Sequence, residues 1–237
     1  MRRWIMAMGG GGFSADGVRS PLDEQFLALA RERRGTDRPR VCFVGTASGD
    51  DAGYRERFHA AYDPVAETSH LTLFSREVEE IPAFVAEQDA IYVGGGNTAS
   101  LLAVWHAHGL DVALRAAHDA GIVLGGVSAG SICWFESGTT DSFGPTLQPV
   151  DGALGFIAGS HSPHYDGEPQ RRPTYHALVG SGRLPAGLAV DDHAAALFDG
   201  PQLVEVVASH DGPTAYRVSP DGRGGVTETP LPARTLP

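Results

Sequence analysis

The pentapeptide Gly126-Val127-Ser128-Ala129-Gly130 sets a serine between two glycines, directly after the apolar run 122–127 and before a short helical stretch. A strand-turn-helix of this kind lifts a hydroxyl clear of a sheet, and flanking glycines keep bulk away from the strained turn. Backbone N–H groups at the start of the following helix can stabilise an oxyanion, so the pattern points to nucleophilic catalysis at Ser128. A glycine-rich turn whose serine only caps a helix is the plainer alternative. A second signal is Gly94-Gly95-Gly96-Asn97-Thr98, a glycine run that ends one strand and opens a helix. Free N–H donors there stand where ligands bind in open α/β sheets, so Gly95 and Gly96 are candidates for half an oxyanion hole and Asn97 for a substrate contact. The run fits neither the dinucleotide fingerprint nor a P-loop, which needs a lysine. The run 9–12 follows an earlier strand in the same way, and a tight turn is the plain reading of both.

A serine nucleophile needs a base, and His161-Ser162-Pro163-His164-Tyr165-Asp166 offers two imidazoles in a loop-rich region. Two histidines three apart also raise a metal site, for which His176, His193 and Asp166 are further ligand candidates. Nothing fixes their spacing, so neither a metal nor any other cofactor is expected. His106, His108 and His118 fall on predicted helices as surface or packing residues. A carboxylate must orient the imidazole and favour its cation. Two stand out: Asp192 at a predicted strand end and Asp141 downstream of the serine.

The elements that must position these groups alternate short apolar runs with amphipathic stretches. Strands are predicted over 4–8, 40–45, 70–74, 89–93 and 122–127, and helices over 23–34, 52–61, 78–86, 98–108 and 110–120. That alternation predicts an α/β fold with a mainly parallel, doubly wound sheet and helices on both faces. Residues 138–173, rich in Gly, Pro and His, read as functional loops. Short strands near 189–191, 195–198, 203–208 and 215–218 predict a small antiparallel C-terminal flank, and the polar tail from about 220 reads as frayed. A single α/β domain over residues 1–237 is the expectation, since this length suits one hydrophobic core.

With 42% hydrophobic and 20% charged residues, the chain is too apolar for disorder. A net charge of −11 spread along the chain argues against a nucleic-acid partner. No run of about 18 apolar residues is present. Residues 1–7 run straight into glycines without a signal peptide's apolar core, so no membrane association and a cytoplasmic location are expected. Cys42 and Cys133 lie in apolar surroundings and read as buried thiols. The acidic surface is compatible with a homo-oligomer.

The strand ending Val93-Gly94-Gly95-Gly96-Asn97-Thr98, the Ser128 pentapeptide and Ser162-Pro163-His164-Tyr165 together resemble the peptidase E and cyanophycinase family of serine peptidases. The resemblance runs from the first strand to about Val218. It implies a fold similar to class I glutamine amidotransferases, Ser128 as nucleophile, His164 as base, and an oxyanion hole from N–H groups near Gly95 or Gly96 and of Ala129. It favours Asp192, which matches a stretch where peptidase E carries a Glu, over Asp141, with Asp191 as a neighbouring substitute. Peptidase E cleaves dipeptides with an N-terminal aspartate and holds that side chain with an arginine after the histidine. Arg171 and Arg172 are the matching residues, but their spacing differs, so aspartate specificity does not carry over. Trp134 and Phe135 also depart from peptidase E and read either as a more apolar environment beside the serine or as core packing. The implied activity is hydrolysis of short peptides, in dipeptidase or aminopeptidase fashion, through an acyl-enzyme. An esterase and a non-catalytic small-ligand-binding module are the rival readings. In the esterases the acid precedes the histidine, and here the favoured acid follows it.

Overall fold

The computed structural model describes residues 2–237; Met1, which opens the N-terminal stretch read above, lies outside them. The first half runs β1 (Trp4–Met8), α1 (Phe13–Asp16), α2 (Pro21–Arg34), β2 (Arg40–Val44), α3 (Ala52–Tyr62), β3 (Glu67–Leu71), α4 (Ile81–Ala86), β4 (Ala90–Val93), α5 (Thr98–His108), α6 (Leu110–Asp119) and β5 (Val123–Val127). After α7 (Ala129–Ile132) come β6 (Ser137–Thr140), β7 (Gln148–Asp151), β8 (Ser160–Ser162) and α8 (Arg171–Gly180). The chain closes with β9 (Gly187–Val190), β10 (Ala194–Asp199), β11 (Gln202–Ala208), β12 (Ala215–Pro220), β13 (Val226–Leu231) and β14 (Ala233–Thr235).

An eight-stranded sheet has the order β14-β11-β10-β1-β5-β4-β2-β3, and its run from β1 to β3 is parallel throughout. β1, β4 and β5 are buried along their whole length, the condition of parallel strands covered on both faces. One apolar cluster packs α2 and α3 on one face through Phe26, Phe58 and Tyr62. The other packs α5 and α6 through Trp105 and Leu114, and continues through Trp134, Phe156 and Leu188 to the second sheet. Local chemistry sets the helix bounds. In α2, Ser20 and Asp23 form a capping box, Pro21 occupies the first turn, and Gly35 closes the helix in the left-handed region.

The second sheet, β13-β12-β9-β8-β6-β7, corrects the reading of the second half. Residues 138–173 are not all loop: they hold most of β6, all of β7 and β8, and the start of α8. The tail from 220 is not frayed, because β13 pairs with β12 and β14 with β11. The antiparallel flank is divided between the sheets, β10 extending the first from β1 and β12 and β13 closing the second. The third strand lies at Glu67–Leu71, earlier than 70–74, since its apolar end alone carries the pattern and its exposed start pairs with Arg40. No described helix is long and apolar enough to cross a membrane.

Candidate active site

The loops after β4 and β5 meet at the carboxyl edge of the parallel run, where open α/β sheets bind ligands. Ser128 follows β5 directly with φ 57° and ψ −117°, a backbone strain that non-glycine residues sustain only where their surroundings over-determine it. The glycines of the pentapeptide are required by close approach: a Cβ on Gly126 would stand 2.5 Å from the carbonyls of Gly130 and Val93, and one on Gly130 would collide with the Val93 carbonyl. The elbow thus seats directly on the end of β4. Ser128 is part-exposed, and its hydroxyl has no hydrogen bond to protein among the described residues.

The glycine loop after β4 lies against the serine, so that a Cβ on Gly95 would stand 3.9 Å from Ser128 Oγ. Its two central N–H groups differ. Gly95 N–H donates to the Tyr54 hydroxyl at 3.2 Å. Those of Gly96 and Ala129 donate to no protein acceptor among the described residues. Gly96 holds φ 137° and packs so closely on the Ala47 carbonyl that no side chain fits. Asn97 caps α5: its Oδ1 accepts from Ser100 N–H at 2.8 Å and its Nδ2 donates to the Ser142 carbonyl at 3.0 Å. That capping uses one of the two Nδ2 hydrogens, and Asn97 also lines the cleft beside Ser128.

The two imidazoles have opposite environments. His161 is buried in β8, stacked on Phe135 at 4.5 Å, with Nδ1 on the Leu188 carbonyl and Nε2 on Ser131 Oγ, both at 2.9 Å. Burial pushes its pKa down to about 3, which leaves a neutral packing group. His164 is part-exposed, and its Nδ1 meets Asp192 Oδ1 at 2.6 Å. That bond outweighs partial burial and holds the Asp192 carboxyl below its ordinary value. With Nδ1 engaged, Nε2 is the nitrogen left to exchange a proton with a hydroxyl.

Asp191 and Asp141 stand elsewhere. The Asp191 carboxylate is buried against Thr214, whose N–H it accepts at 2.9 Å, and burial raises its pKa to about 6. Asp141 is exposed and has no side-chain partner among the described residues. It lines a cleft of about 300 Å³ together with Gly96, Asn97, Ser128, Glu168 and Arg171. Arg171 is buried to 4% exposure, its guanidinium bonded to Glu168 and to the Thr139 carbonyl, and it faces this cleft. Arg172 points the other way, to Glu228 on β13.

Two supports escape a reading by motif. The glycine run after β1 holds the His–Asp pair: Gly9 carbonyl accepts from His164 N–H, Gly10 carbonyl accepts from His193 N–H, and a Cβ on Gly10 would collide with Asp192 Oδ1. Asp166 accepts the Asp192 N–H at 2.8 Å. The remaining metal-ligand candidates scatter, His176 lying on Glu228, and among the described residues no three His, Cys, Asp or Glu gather as a metal site.

Fold and site together define an α/β protein with a strand-end serine, a glycine loop beside it and a separate His–Asp pair. The chain belongs to peptidase family S51, whose model matches residues 5–206. It is therefore a peptidase. It is 46% identical over 233 residues to the uncharacterized peptidase YgaJ of Bacillus subtilis (strain 168), covering 98% of each chain. Among solved structures it is similar in fold to a peptidase from an acI-B1 Actinobacterium, with TM-score 0.73, 18% identity, and coverage of 98% of this chain and 95% of that one. It is also similar in fold to a Listeria monocytogenes EGD-e protein named for peptidase E, with TM-score 0.59, 20% identity, and coverage of 86% and 98%.

Proposed function

We propose that this chain is a serine peptidase acting on short peptides, with Ser128 as nucleophile, His164 as base and Asp192 as the orienting carboxylate. The observation that carries the reading is the 2.6 Å bond from Asp192 to His164 Nδ1, which commits the imidazole to one tautomer with Nε2 free. Ser128 Oγ attacks the scissile carbonyl carbon while its proton passes to His164 Nε2. The oxyanion takes the N–H groups of Gly96 and Ala129, donors that have no protein acceptor among the described residues. His164 returns the proton to the leaving amine as the C–N bond breaks. Water, deprotonated by the same nitrogen, then adds to the acyl carbonyl, and the Oγ–C bond breaks as Nε2 returns that proton to Ser128 Oγ. Among the described residues Ser128 and His164 share no direct hydrogen bond, and catalytic bonds of this kind often tighten only once substrate is bound.

A cleft of about 300 Å³ with charged walls suits two or three residues of peptide, which supports dipeptidase or aminopeptidase-like action. Arg171 is the cleft cation, and its remaining N–H donors suit an acidic substrate group, so Asp-X dipeptides belong in the panel. The two cysteines, buried and free, fit a reducing cytoplasm. The test is a labelled fluorophosphonate followed by peptide mapping, beside hydrolysis of Asp-X, Ala-X, Leu-X and Gly-X dipeptides. An adduct on Ser128 with loss of peptide turnover is expected. An unmodified Ser128 in a protein that still binds small peptides would overturn the reading in favour of a binding module.

A further inference from the structure

His164 holds φ 52°, a left-handed backbone that a non-glycine residue keeps only under outside restraint. The next residue supplies an anchor. Tyr165 is 2% exposed, and its hydroxyl donates to Glu228 Oε2 at 2.5 Å. The same carboxylate takes His176 Nε2 at 2.7 Å and a two-pronged contact from Arg172, at 3.2 Å and 2.8 Å. Arg172 lies over the rings of Tyr165 and Tyr216, with centroid distances of 4.9 and 4.7 Å. One carboxylate on β13 therefore ties together the residue after the base and two side chains of α8. The first residue of α8 is Arg171, on the cleft side. Charge-assisted bonds of this kind are about twice as strong as neutral ones, and a carboxylate so surrounded fixes its partners' geometry. The bonds outweigh burial and hold the Glu228 carboxyl below its ordinary value. Glu228 lies beyond residue 206, outside the stretch that matches the family.

We propose that Glu228 is a positioning residue for the reaction: the C-terminal hairpin β12–β13 locks the segment from His164 to Arg171 in its working geometry through the Tyr165, Arg172 and His176 contacts. The inference rests on the serine-peptidase reading of the site. Glu228 touches no reacting atom. It acts by holding the imidazole where a displacement of about 1 Å would cost on the order of 10²-fold in rate.

The experiment compares wild type with Glu228→Ala, Glu228→Gln and Tyr165→Phe in steady-state peptide hydrolysis, with the downfield N–H proton of the His164–Asp192 bond followed by NMR. Tyr165→Phe keeps the ring packing and the Arg172–Glu228 pair, so it tests the link where Glu228→Ala fails to fold. Expected are a fall in kcat of about tenfold or more in Glu228→Ala and Tyr165→Phe, with KM changed less than threefold, and a broadened or lost downfield resonance. Glu228→Gln, which keeps one acceptor oxygen for Tyr165 but gives up the charge and one prong of the Arg172 contact, is expected to recover part of kcat. Wild-type kcat and resonance in folded Tyr165→Phe would overturn the proposal, as would a Glu228→Gln variant as impaired as Glu228→Ala. Ser128→Ala, run alongside, separates the two failures: if it keeps full turnover, the serine reading falls and with it this inference. If it is inactive while the Glu228 and Tyr165 variants are normal, only the positioning role falls.

Discussion

Replacing Asp192 by Asn removes one charge and almost no volume, so its effect isolates what the carboxylate does for His164. The surroundings leave the new side chain little freedom. Gly10 and Gly167 pack so closely that a Cβ on either would collide with the Asp192 carboxylate, and Asp166 holds the Asp192 N–H. An asparagine must therefore present one end of its amide to His164 Nδ1. If the carbonyl faces the ring, the tautomer survives but the developing imidazolium loses its counter-charge. A hydrogen bond to a charged group contributes about 1.5–3 kcal/mol, equivalent to roughly 10–150-fold in rate. If the NH2 faces the ring, Nδ1 must accept, Nε2 keeps the proton and cannot take one from Ser128, and the loss approaches about 10⁴-fold. The prediction is a fall in kcat/KM of between about 10-fold and 10⁴-fold, with unchanged far-UV circular dichroism and a parallel fall in the rate of fluorophosphonate labelling at Ser128. Activity within threefold of wild type would refute the orienting role of Asp192 and return attention to Asp141.

Gly10→Ala should behave as an active-site variant although Gly10 carries no functional group: the added methyl collides with Asp192 Oδ1 and stands 2.8 Å from His164 Nδ1. A loss of about 10²-fold in kcat is expected, checked by steady-state kinetics, with near-normal turnover counting against the crowding argument. Arg171→Gln should raise KM for short peptides by about tenfold and kcat less, as one charged bond is lost from the cleft wall; an unchanged KM would remove Arg171 from substrate binding. Asp191 gives a pH signature. Its folded pKa is raised to about 6, so the folded state holds a proton that the unfolded chain releases near 4, and stability drains away as pH rises between those values. Asp191→Asn should match wild type near pH 4 and exceed it by up to roughly 3 kcal/mol at pH 7 in thermal or denaturant unfolding. A gap that closes with rising pH would refute the assignment.

The parallel half of the fold was legible because its signals are local and apolar: β1, β4 and β5 are short hydrophobic runs, and the helices between them carry periodic faces and caps. The second sheet was not. β6 reads Ser-Gly-Thr-Thr and β8 Ser-His-Ser, with no hydrophobic alternation to announce a strand. They are nonetheless buried, because apart from Ser137 their polar side chains satisfy one another and their neighbours: Thr139 with Ser162 at 2.7 Å, His161 with Ser131 and Leu188. Such long-range pairing leaves no mark on local composition. The same limit hid Glu228, which sits in an alternating polar strand and acquires its meaning only when Tyr165 and Arg172 arrive from α8 and the loop before it. For the site, the motif around Ser128 and the choice between Asp192 and Asp141 could be posed from residue order. What separates those two carboxylates in space, one on His164 and one unpaired in the cleft, is tertiary. The glycines at 9–12 read from the sequence as a strand-end run with a tight turn as the plain reading, yet Gly9 and Gly10 back the His–Asp pair, a role visible only in what a side chain would strike.

If Ser128 is the nucleophile, dipeptide turnover by purified Ser128→Ala beside wild type under identical conditions shows it. Wild type should cleave at least one member of the panel, and the variant should lose at least about 10³-fold with its melting temperature preserved. Peptide cleavage by Ser128→Ala at a rate near that of wild type would contradict it.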